Sequence, residues 1–450
     1  MKKRFLSFFL IIVLAFNFSF VNLAYAKNDK NKEPISIAMA TDRNYIYPTV
    51  VAMTSILENK KPDTKIDFYI MISGDFLNVE KNRLLRLQRK YSNCKVRLIN
   101  MKDNMNSLYT SRHLSRATYY RLMLPSLLPN LDKVLYLDTD IIVKKDLSAL
   151  FNYNIDNFYL AGVLDVEVSG NGIIQGRASV TKNDIYMNKY GKDILLKSYV
   201  NAGILLFNLK KMRRDNLESK LLNCISSYDL EFHDQDALNL ECFGKIMNIP
   251  NIYNIASWQD FYNDQVIVHF LDVNKPWKWL TTRNSELWWK YAEKTDCFKN
   301  IQSKYLVNDG KYVLSSALND KKALDISGAS KGDGANLQLW DKNRSSAQRF
   351  NVKYVGGGCM TISPECSNKA IDVCEARKEP GTNVWQYRKN NLDAQKWYIV
   401  RTEDGYHKIF SKCNGLCLDV DNASTENGTN IKCWWNNDSN AQKFKIRRIA

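Results

Sequence analysis

Residues 135–143 read LYLDTDIIV, an apolar run that carries two carboxylates, Asp138 and Asp140, with Thr139 between them. In an extended chain the side chains at positions i and i+2 point to the same side, so both carboxylates can converge on one cation if the strand ends in a cleft. A hard divalent metal held there keeps open positions for a diphosphate. The alternative is a turn with two solvated aspartates, because a motif as short as D-x-D often occurs by chance.

The sequence around this motif alternates apolar runs with helical patterns over residues 34–289, beginning with the runs ISIAMAT, KIDFYIMIS and KVRLINM. This order predicts a doubly wound α/β sheet, and such sheets bind ligands at the carboxyl ends of their strands. Asp42 follows the first apolar run and Asp138 follows a later one. Neither G-x-G-x-x-G nor a P-loop follows the first strand, so a metal on the D-x-D pair is the expected means of neutralising a nucleotide's phosphates.

Length and composition predict more than one folded domain. The chain has 450 residues, of which 45% are hydrophobic and 12% aromatic, and this is ample for sizeable cores. The formal net charge of +17 favours anionic partners such as cell-surface polymers, acidic glycans or phosphorylated substrates. Nucleic acid is not indicated, because the lysines are scattered and no basic block is interleaved with aromatic residues.

The N-terminal segment has the pattern of a secretory signal. Three basic residues lie within the first four positions, an apolar stretch covers residues 5–20, and Ala24-Tyr25-Ala26 is typical of a cleavage site. We therefore expect residues 1–26 to be a signal peptide and the protein to be secreted or at the cell surface. The alternative is an uncleaved N-terminal membrane anchor. No later segment of the sequence has the length and apolar character of a membrane span.

A period of 47 residues organises the chain from about Asp309 onward. The register is kept by aspartates (Asp325, Asp372, Asp419), glycines (Gly334, Gly381, Gly428), asparagines (Asn336, Asn383, Asn430), aromatic residues (Trp340, Tyr387, Trp434) and glutamines (Gln348, Gln395, Gln442). Short, turn-rich units of this size cannot each bury a core alone, but three packed around an axis can share one. Six of the ten cysteines also fall in the last quarter of the chain, and Cys417 and Cys433 are close enough in sequence to be bridged.

These repeats resemble the ricin B-type β-trefoil lectins over residues 306–450. In that family an aspartate accepts hydrogen bonds from sugar hydroxyls and an aromatic ring stacks on the pyranose. The resemblance implies sugar sites at Asp325 with Trp340, Asp372 with Tyr387, and Asp419 with Trp434. Alanine precedes each repeat glutamine where the family often has asparagine, which removes one polar contact. The alternative is that aspartate and glutamine only tie turns together while the aromatic rings fill the core.

Six ordered blocks in the first part of the chain resemble glycosyltransferase family 8, whose members are retaining galactosyl- and glucosyltransferases with a GT-A fold. The blocks are ATDRNY at 40–45, HLSRATYYRL at 113–122, LYLDTD at 135–140, NAGILLFNL at 201–209, HDQDALN at 233–239 and HFLDVNKPW at 269–277. We therefore expect an α/β GT-A catalytic domain over residues 34–295, a linker over 296–305 and an all-β trefoil over 306–450.

The resemblance also implies roles for individual residues. Asp138, Asp140 and His269 would ligate Mn²⁺ or Mg²⁺, and Asp165, Asp234 and Gln235 would be catalytic, with Gln235 on the sugar face opposite the leaving UDP. The UDP-sugar would be bound by Ala40, Asp42, Asn44, Tyr45, His113, Arg121, Asp138, Thr139, Asp140, Asn201, Ala202 and Lys275. One departure is Asp272, which stands where the family commonly has glycine, and its carboxylate adds bulk and repulsion near phosphate.

Together these patterns predict a metal-dependent retaining glycosyltransferase. It would move glucose or galactose from a UDP-sugar to a glycan or glycoprotein acceptor, with the trefoil raising the local concentration of that acceptor. One alternative is a secreted carbohydrate-binding protein whose transferase-like domain is inactive. Another is an effector that is delivered into a second cell and finds its donor there. Four tryptophans near the end of the first domain are predicted to pack in the core or between domains: Trp277, Trp279, Trp288 and Trp289.

Overall fold

The computed structural model of the protein describes residues 33–101, 116–165, 198–228, 230, 232–259, 264–271 and 273–449. The predicted signal peptide, His113 and Asp272 lie outside these residues. Among the residues that the structure describes, none of the helices combines the length and the apolar character that crossing a bilayer requires.

Within the described part of the first domain there are ten strands. They are β1 Ile35–Thr41, β2 Ile66–Ile72, β3 Cys94–Asn100, β4 Lys133–Leu137, β5 Ile141–Val143, β6 Leu160–Leu164, β7 Val200–Asn208, β8 Ile246–Asn248, β9 Ile255–Ala256 and β10 Ile267–His269. Seven of them form one sheet in the order β3-β2-β1-β4-β7-β6-β8. Strands β1 to β4 pair in parallel, whereas β7 is antiparallel to both β4 and β6. The sheet is therefore mixed.

Helices cover both faces of this sheet. They are α1 Ile46–Asn59, α2 Asn78–Leu85, α3 Leu87–Lys90, α4 Leu124–Leu127, α5 Ser148–Phe151, α6 Leu209–Arg214, α7 Leu217–Ser227, α8 His233–Glu241, α9 Ser285–Ala292 and α10 Phe298–Tyr305, with 3₁₀ turns at Arg116–Met123 and Asn251–Tyr253. Along β4, Leu135 and Leu137 pack into one core, while Val134 and Tyr136 pack into the other. A strand buried on both faces explains why its sequence is apolar throughout.

A second, three-stranded sheet lies beside the D-x-D motif. Strand β10 pairs antiparallel to β5 and parallel to β9, and this register sets His269 opposite Ile141. The residue before Ile141 is Asp140, so the strand pairing brings a histidine from late in the chain next to the acidic motif. The backbone of Phe270 also donates to Asp140 O at 2.9 Å.

Twelve strands build the C-terminal domain. They are β11 Gly310–Ser316, β12 Lys322–Ile326, β13 Leu337–Asp341, β14 Phe350–Gly356, β15 Cys359–Pro364, β16 Ala370–Val373, β17 Val384–Tyr387, β18 Trp397–Arg401, β19 His407–Ser411, β20 Cys417–Val420, β21 Thr429–Trp434 and β22 Phe444–Arg448. The pairings β11–β14, β14–β15, β15–β18, β18–β19, β19–β22 and β22–β11 close a six-stranded barrel. Three hairpins, β12–β13, β16–β17 and β20–β21, complete the β-trefoil.

The asparagine column of the repeats gathers where the three hairpins meet. Asn336 Nδ2 donates to Asn430 Oδ1 at 2.9 Å, and Asn383 Nδ2 donates to Asn336 Oδ1 at 3.0 Å. One polar residue from each repeat therefore links the three units near their common axis. This arrangement confirms the predicted all-β trefoil with one shared core.

The structure answers the predictions made for the cysteines and for the four tryptophans near the end of the first domain. All ten cysteines lie within the described residues, and none of them forms a disulfide. Cys417 lies opposite Trp434 and Cys433 lies opposite Leu418, so the two thiols are on opposite faces of the hairpin and the bridge that the sequence allowed does not form.

Trp277, Trp288 and Trp289 are buried as predicted, whereas Trp279 is 40% exposed.

Candidate active site

The D-x-D motif lies in the short connection between β4 and β5. The backbone N–H of Asp138 donates to Gly203 O on β7 at 2.8 Å, and Asp140 O accepts from Phe270 just after β10. The connection is therefore fixed by strands on two sides. This position, at the carboxyl end of β4, is where ligands of α/β sheets bind.

Asp138, Asp140 and His269 form a cluster with the composition of a metal site. One ligand atom of each lies within 4.8 Å of the other two. His269 Nε2 is 3.1 Å from Asp140 Oδ1 and 3.8 Å from Asp138 Oδ2, and the histidine is only 2% exposed. Two carboxylates and one imidazole suit a divalent cation such as Mn²⁺, so the residues present fit the metal that the sequence predicted.

A chain of amide side chains fixes the tautomer of His269. Asn254 Nδ2 donates to Asn201 Oδ1 at 2.9 Å, which leaves Asn254 Oδ1 as an acceptor facing His269 Nδ1 at 2.9 Å. The imidazole proton therefore lies on Nδ1, and Nε2 keeps a lone pair for the metal. Asn201 Nδ2 continues the chain to Gln235 Oε1 at 3.2 Å. Asn254 was not identified from the sequence, because it falls outside every recognisable motif.

Gly203 is required by the close packing of these ligands. A Cβ atom at this position would lie 2.3 Å from His269 Cε1, 2.9 Å from Asp138 Oδ2 and 3.0 Å from Asn201 Oδ1. All three distances are shorter than van der Waals contact. The glycine in the block NAGILLFNL therefore leaves space for the candidate metal ligands.

Lys275 contacts the other side of Asp140. Its Nζ atom is 2.8 Å from Asp140 Oδ2 and donates to Phe270 O at 2.6 Å. Burial acts to raise the pKa of Asp140, but opposing effects, led by the positive charge of Lys275, hold that pKa well below its ordinary value. Asp140 is therefore ionised at neutral pH, as a metal ligand must be.

Arg121 is a buried cation between two acidic residues. Its guanidinium lies 3.0 Å from Asp138 Oδ1 and 3.0 Å from Asp234 Oδ2, and it donates to Ala202 O. Burial acts to lower the pKa of Arg121, but the two carboxylates outweigh it and raise that pKa. Burial also raises the pKa of Asp234 to about 6, an effect that Arg121 opposes. Arg121 thus links the candidate metal site to the beginning of α8.

Gln235 is held at both ends of its amide. Its Oε1 atom accepts from the backbone of Ala202 at 2.9 Å, and its Nε2 atom donates to Asp165 Oδ2 at 3.1 Å and to Tyr199 Oη at 3.4 Å. Tyr199 in turn donates to Asp236 Oδ1. The structure therefore brings Asp165, Gln235 and Asn201 together as a connected group. The sequence did not reveal Tyr199, which lies two residues before the block NAGILLFNL.

The loop after β1 completes the site. Asp42 Oδ1 accepts from the backbone N–H groups of Asn44 at 2.8 Å and Tyr45 at 3.1 Å, which orders the turn leading into α1. The Tyr45 ring meets Trp277 edge-on, with the ring centroids 5.7 Å apart. Burial first, and then the negative charges of Asp140, Asp42 and Asp138, raise the pKa of Tyr45. One carboxylate oxygen of Asp42 is therefore already used to order this turn.

A match to the model of glycosyl transferase family 8 covers residues 36–281, more than half of the chain. The chain belongs to this family. It is therefore a glycosyltransferase. A candidate glycosyltransferase of Haemophilus influenzae is 30% identical over 259 residues, which cover 54% of this chain and 73% of that protein. A lipopolysaccharide 1,2-glucosyltransferase of Escherichia coli K12 is 28% identical over 271 residues, 56% of this chain and 75% of that enzyme.

A solved structure agrees with the fold of this family 8 domain. The bifunctional glycosyltransferase WbbM in its apo form aligns with a TM-score of 0.52 and 21% identity, over 63% of this chain and 53% of the WbbM chain. For the C-terminal domain, a ricin-type β-trefoil lectin domain-like model matches residues 300–387 and 346–434. The family 8 domain is therefore followed by a lectin-like domain.

The three repeat aspartates of this lectin-like domain, Asp325, Asp372 and Asp419, are buried and hydrogen-bonded. Gln395 Nε2 and Gln442 Nε2 donate to Asp372 Oδ2 and Asp419 Oδ2, each at 2.9 Å, and Gln338 Nε2 donates to Asp325 Oδ1 at 3.0 Å. Burial raises the pKa of each of these aspartates. The aspartates and glutamines thus do tie turns together.

Two of the aromatic residues predicted to stack on sugars, Trp340 and Trp434, do not fill the core. Trp340 is 37% exposed and Trp434 is 36% exposed. The second repeat differs, because Trp385 lies opposite Asp372, donates from Nε1 to Asp372 Oδ1 at 3.0 Å, and stacks on Tyr387 with the centroids 5.9 Å apart. The three predicted sugar sites are therefore not equivalent.

Proposed function

We propose that the family 8 domain is a metal-dependent retaining hexosyltransferase that uses a UDP-sugar. The observation that carries this proposal is the cluster of Asp138, Asp140 and His269, with Lys275 bonded to Asp140 at its edge. When bound, Mn²⁺ or Mg²⁺ supplies positive charge for the diphosphate oxygens of the donor. Lys275 adds a second positive charge beside them and stabilises UDP as negative charge develops on it. The transferred sugar is glucose or galactose.

Gln235 and its neighbours are the proposed catalytic groups. In a retaining transfer the bond from C1 to the diphosphate oxygen breaks, and the bond to the acceptor oxygen forms on the same face of the sugar. The acceptor proton passes to the departing phosphate. Because both ends of the Gln235 amide are hydrogen-bonded, this residue acts through its dipole rather than as a nucleophile. Asp234 contacts the donor sugar, and Asp165 acts near the acceptor.

The first step of this proposal is tested by calorimetric titration of UDP with and without Mn²⁺. Wild type is expected to bind UDP only with the metal, and Asp140→Asn is expected to abolish that binding because it removes one ligand and its charge. The exposed Asp156 lies in the same domain, so Asp156→Asn is the matched control and should bind as wild type. A wild type that binds no UDP, or binds it without metal, supports the alternative of a carbohydrate-binding protein with an inactive transferase-like domain.

The donor and acceptor need separate measurements. Hydrolysis of UDP-glucose, UDP-galactose and their N-acetyl analogues identifies the sugar, and we expect turnover with one of the first two. The acceptor is proposed to be a glycan or glycoprotein. The basic net charge of +17 also favours an anionic cell-surface polymer as a partner. Secretion or cell-surface location, through residues 1–26, is part of the same proposal, and N-terminal sequencing of the exported protein tests it.

The trefoil is proposed to bind carbohydrate through its first and third repeats. Asp325 with Trp340, and Asp419 with Trp434, combine a buried acceptor with a half-exposed ring. In the second repeat the ring of Tyr387 is already stacked on the indole of Trp385, with the centroids 5.9 Å apart, so we expect Tyr387 to contribute least. Glycan-array binding of the full chain tests this order. Trp340→Ala and Trp434→Ala should each weaken binding, whereas an equal effect of Tyr387→Ala would contradict the proposed difference.

A further inference from the structure

A turn of the trefoil is built from three glycines and faces helix α9 of the family 8 domain. Gly356, Gly357 and Gly358 connect β14 to β15 with φ angles of 101°, 61° and 80°. Residues with side chains rarely adopt this left-handed region. Three glycines in succession therefore let this turn approach another element closely.

Polar groups anchor the trefoil to both ends of α9. Beyond its C-terminal end, Glu293 Oε1 accepts from the backbone of Gly357 at 2.8 Å and from Tyr354 Oη at 2.5 Å. Near its N-terminal end, Glu286 Oε1 accepts from Tyr398 Oη at 2.9 Å and lies 3.1 Å from Lys412 Nζ. Buried trefoil residues, among them Cys359, Tyr398 and Phe410, belong to the same apolar cluster as the tryptophans of α9. The two domains thus share a packed interface.

Gly358 lies directly against Trp289. A Cβ atom on Gly358 would be 2.9 Å from Trp289 Cδ1, 3.0 Å from Trp289 Nε1 and 3.3 Å from Leu280 Cδ2. Trp289 is fully buried, and its ring packs edge-on against Trp288 with the centroids 5.1 Å apart. The indole therefore has no room to move away from a larger residue at position 358.

Trp289 holds the loop that carries Lys275. Its Nε1 atom donates to Pro276 O at 3.1 Å. Lys275 is the preceding residue and contacts Asp140, while Trp277, the following one, packs on Tyr45 and on Trp288. One indole hydrogen bond therefore joins the surface covered by the trefoil to the segment that lines the candidate metal and nucleotide site.

We propose that Gly358 and Trp289 are positioning residues, through which the docked trefoil holds Lys275 in place for the diphosphate. This role rests on the proposed function. It makes the lectin-like domain a structural part of the donor site as well as a means of binding glycans. The alternative is that the interface only packs two independent domains together.

The test is a double-mutant cycle in the full chain, read as the affinity for UDP in the presence of Mn²⁺. Gly358→Ala should weaken UDP binding at least about 10-fold, because it displaces the indole that holds Pro276. The same change in a Lys275→Ala background should have less than about a 2-fold effect, since the group being positioned is gone. Gly405→Ala is the matched control, because Gly405 has φ of 81° and no atom within 4 Å of its Cβ position.

Trp289→Phe provides a second route if Gly358→Ala does not fold. It keeps an aromatic ring and removes the donor to Pro276 O, so it should also weaken UDP binding, again only when Lys275 is present. Equal losses in both backgrounds, or Gly358→Ala and Trp289→Phe proteins that bind UDP like wild type, overturn the positioning role alone. A wild type that does not bind UDP overturns the proposed function and this role with it.

Discussion

Replacing Gly203 with alanine is expected to disable the candidate metal site without changing any of its ligands. The new Cβ would lie 2.3 Å from His269 Cε1 and 2.9 Å from Asp138 Oδ2, where an ordinary contact needs at least 3.4 Å. The imidazole alone must then move by about 1 Å. Since metal–ligand distances are held to within about 0.2 Å, a displacement of this size removes His269 from the coordination shell.

The expected loss of Mn²⁺ affinity is about 100-fold, or about 2.7 kcal/mol, because loss of ligand orientation alone costs about 10- to 100-fold. Crowding around Gly203 should also lower the free energy of unfolding by about 1–3 kcal/mol. Titration calorimetry with Mn²⁺ in the presence of UDP measures the first quantity. Denaturant unfolding without metal measures the second.

Gly332→Ala is the control for this substitution. The nearest atom to a Cβ at Gly332 is Ser330 Oγ at 3.5 Å, and the backbone there is not in the left-handed region. This variant should keep both the affinity and the stability of wild type. A folded Gly203→Ala protein with unchanged Mn²⁺ affinity would refute the assignment of His269 and Asp138 as metal ligands.

Two further predictions concern single side chains. Asn254→Ala should lower Mn²⁺ affinity about 10- to 100-fold, because His269 Nδ1 loses the acceptor that fixes its tautomer; an unchanged affinity in the same titration would contradict that argument. Burial, then the charge of Arg401, lower the pKa of His407 from 6.5 to about 4, so the folded state binds this proton less tightly than the unfolded chain. Stability should therefore fall, by at most about 3 kcal/mol, as the pH drops from about 6.5 to 4, and His407→Gln should flatten that slope in unfolding measurements at several pH values.

The sequence was sufficient for those parts of the site that a motif carries. Asp138 and Asp140 were anticipated from their spacing in an apolar strand, and the β-trefoil from a period of 47 residues. Asn254 and Trp289 were harder to assign, because nothing in the local sequence marks them as partners of a ligand or a loop. Their contacts depend on segments that meet only when the chain is folded.

The lectin-like repeats illustrate the same limit. Their columns aligned Trp340, Tyr387 and Trp434 as equivalent rings. In each hairpin, however, the residue opposite the aspartate lies two positions before the aligned ring. In the second repeat this residue is Trp385, whose indole donates to Asp372. A hydrogen bond across a hairpin depends on strand register, which the column pattern does not contain.

What the sequence by itself determined is the order of the two domains, the acidic motif at a strand end and the three-fold repeat, since each is written in local spacing and hydrophobic period. Only the tertiary structure decided that His269 meets Asp140 across 129 residues at 3.1 Å, and that a trefoil turn covers the indole behind Lys275. The physical reason is that such distances follow from strand register and from the packing of whole elements. These are properties of the folded chain and of no single segment.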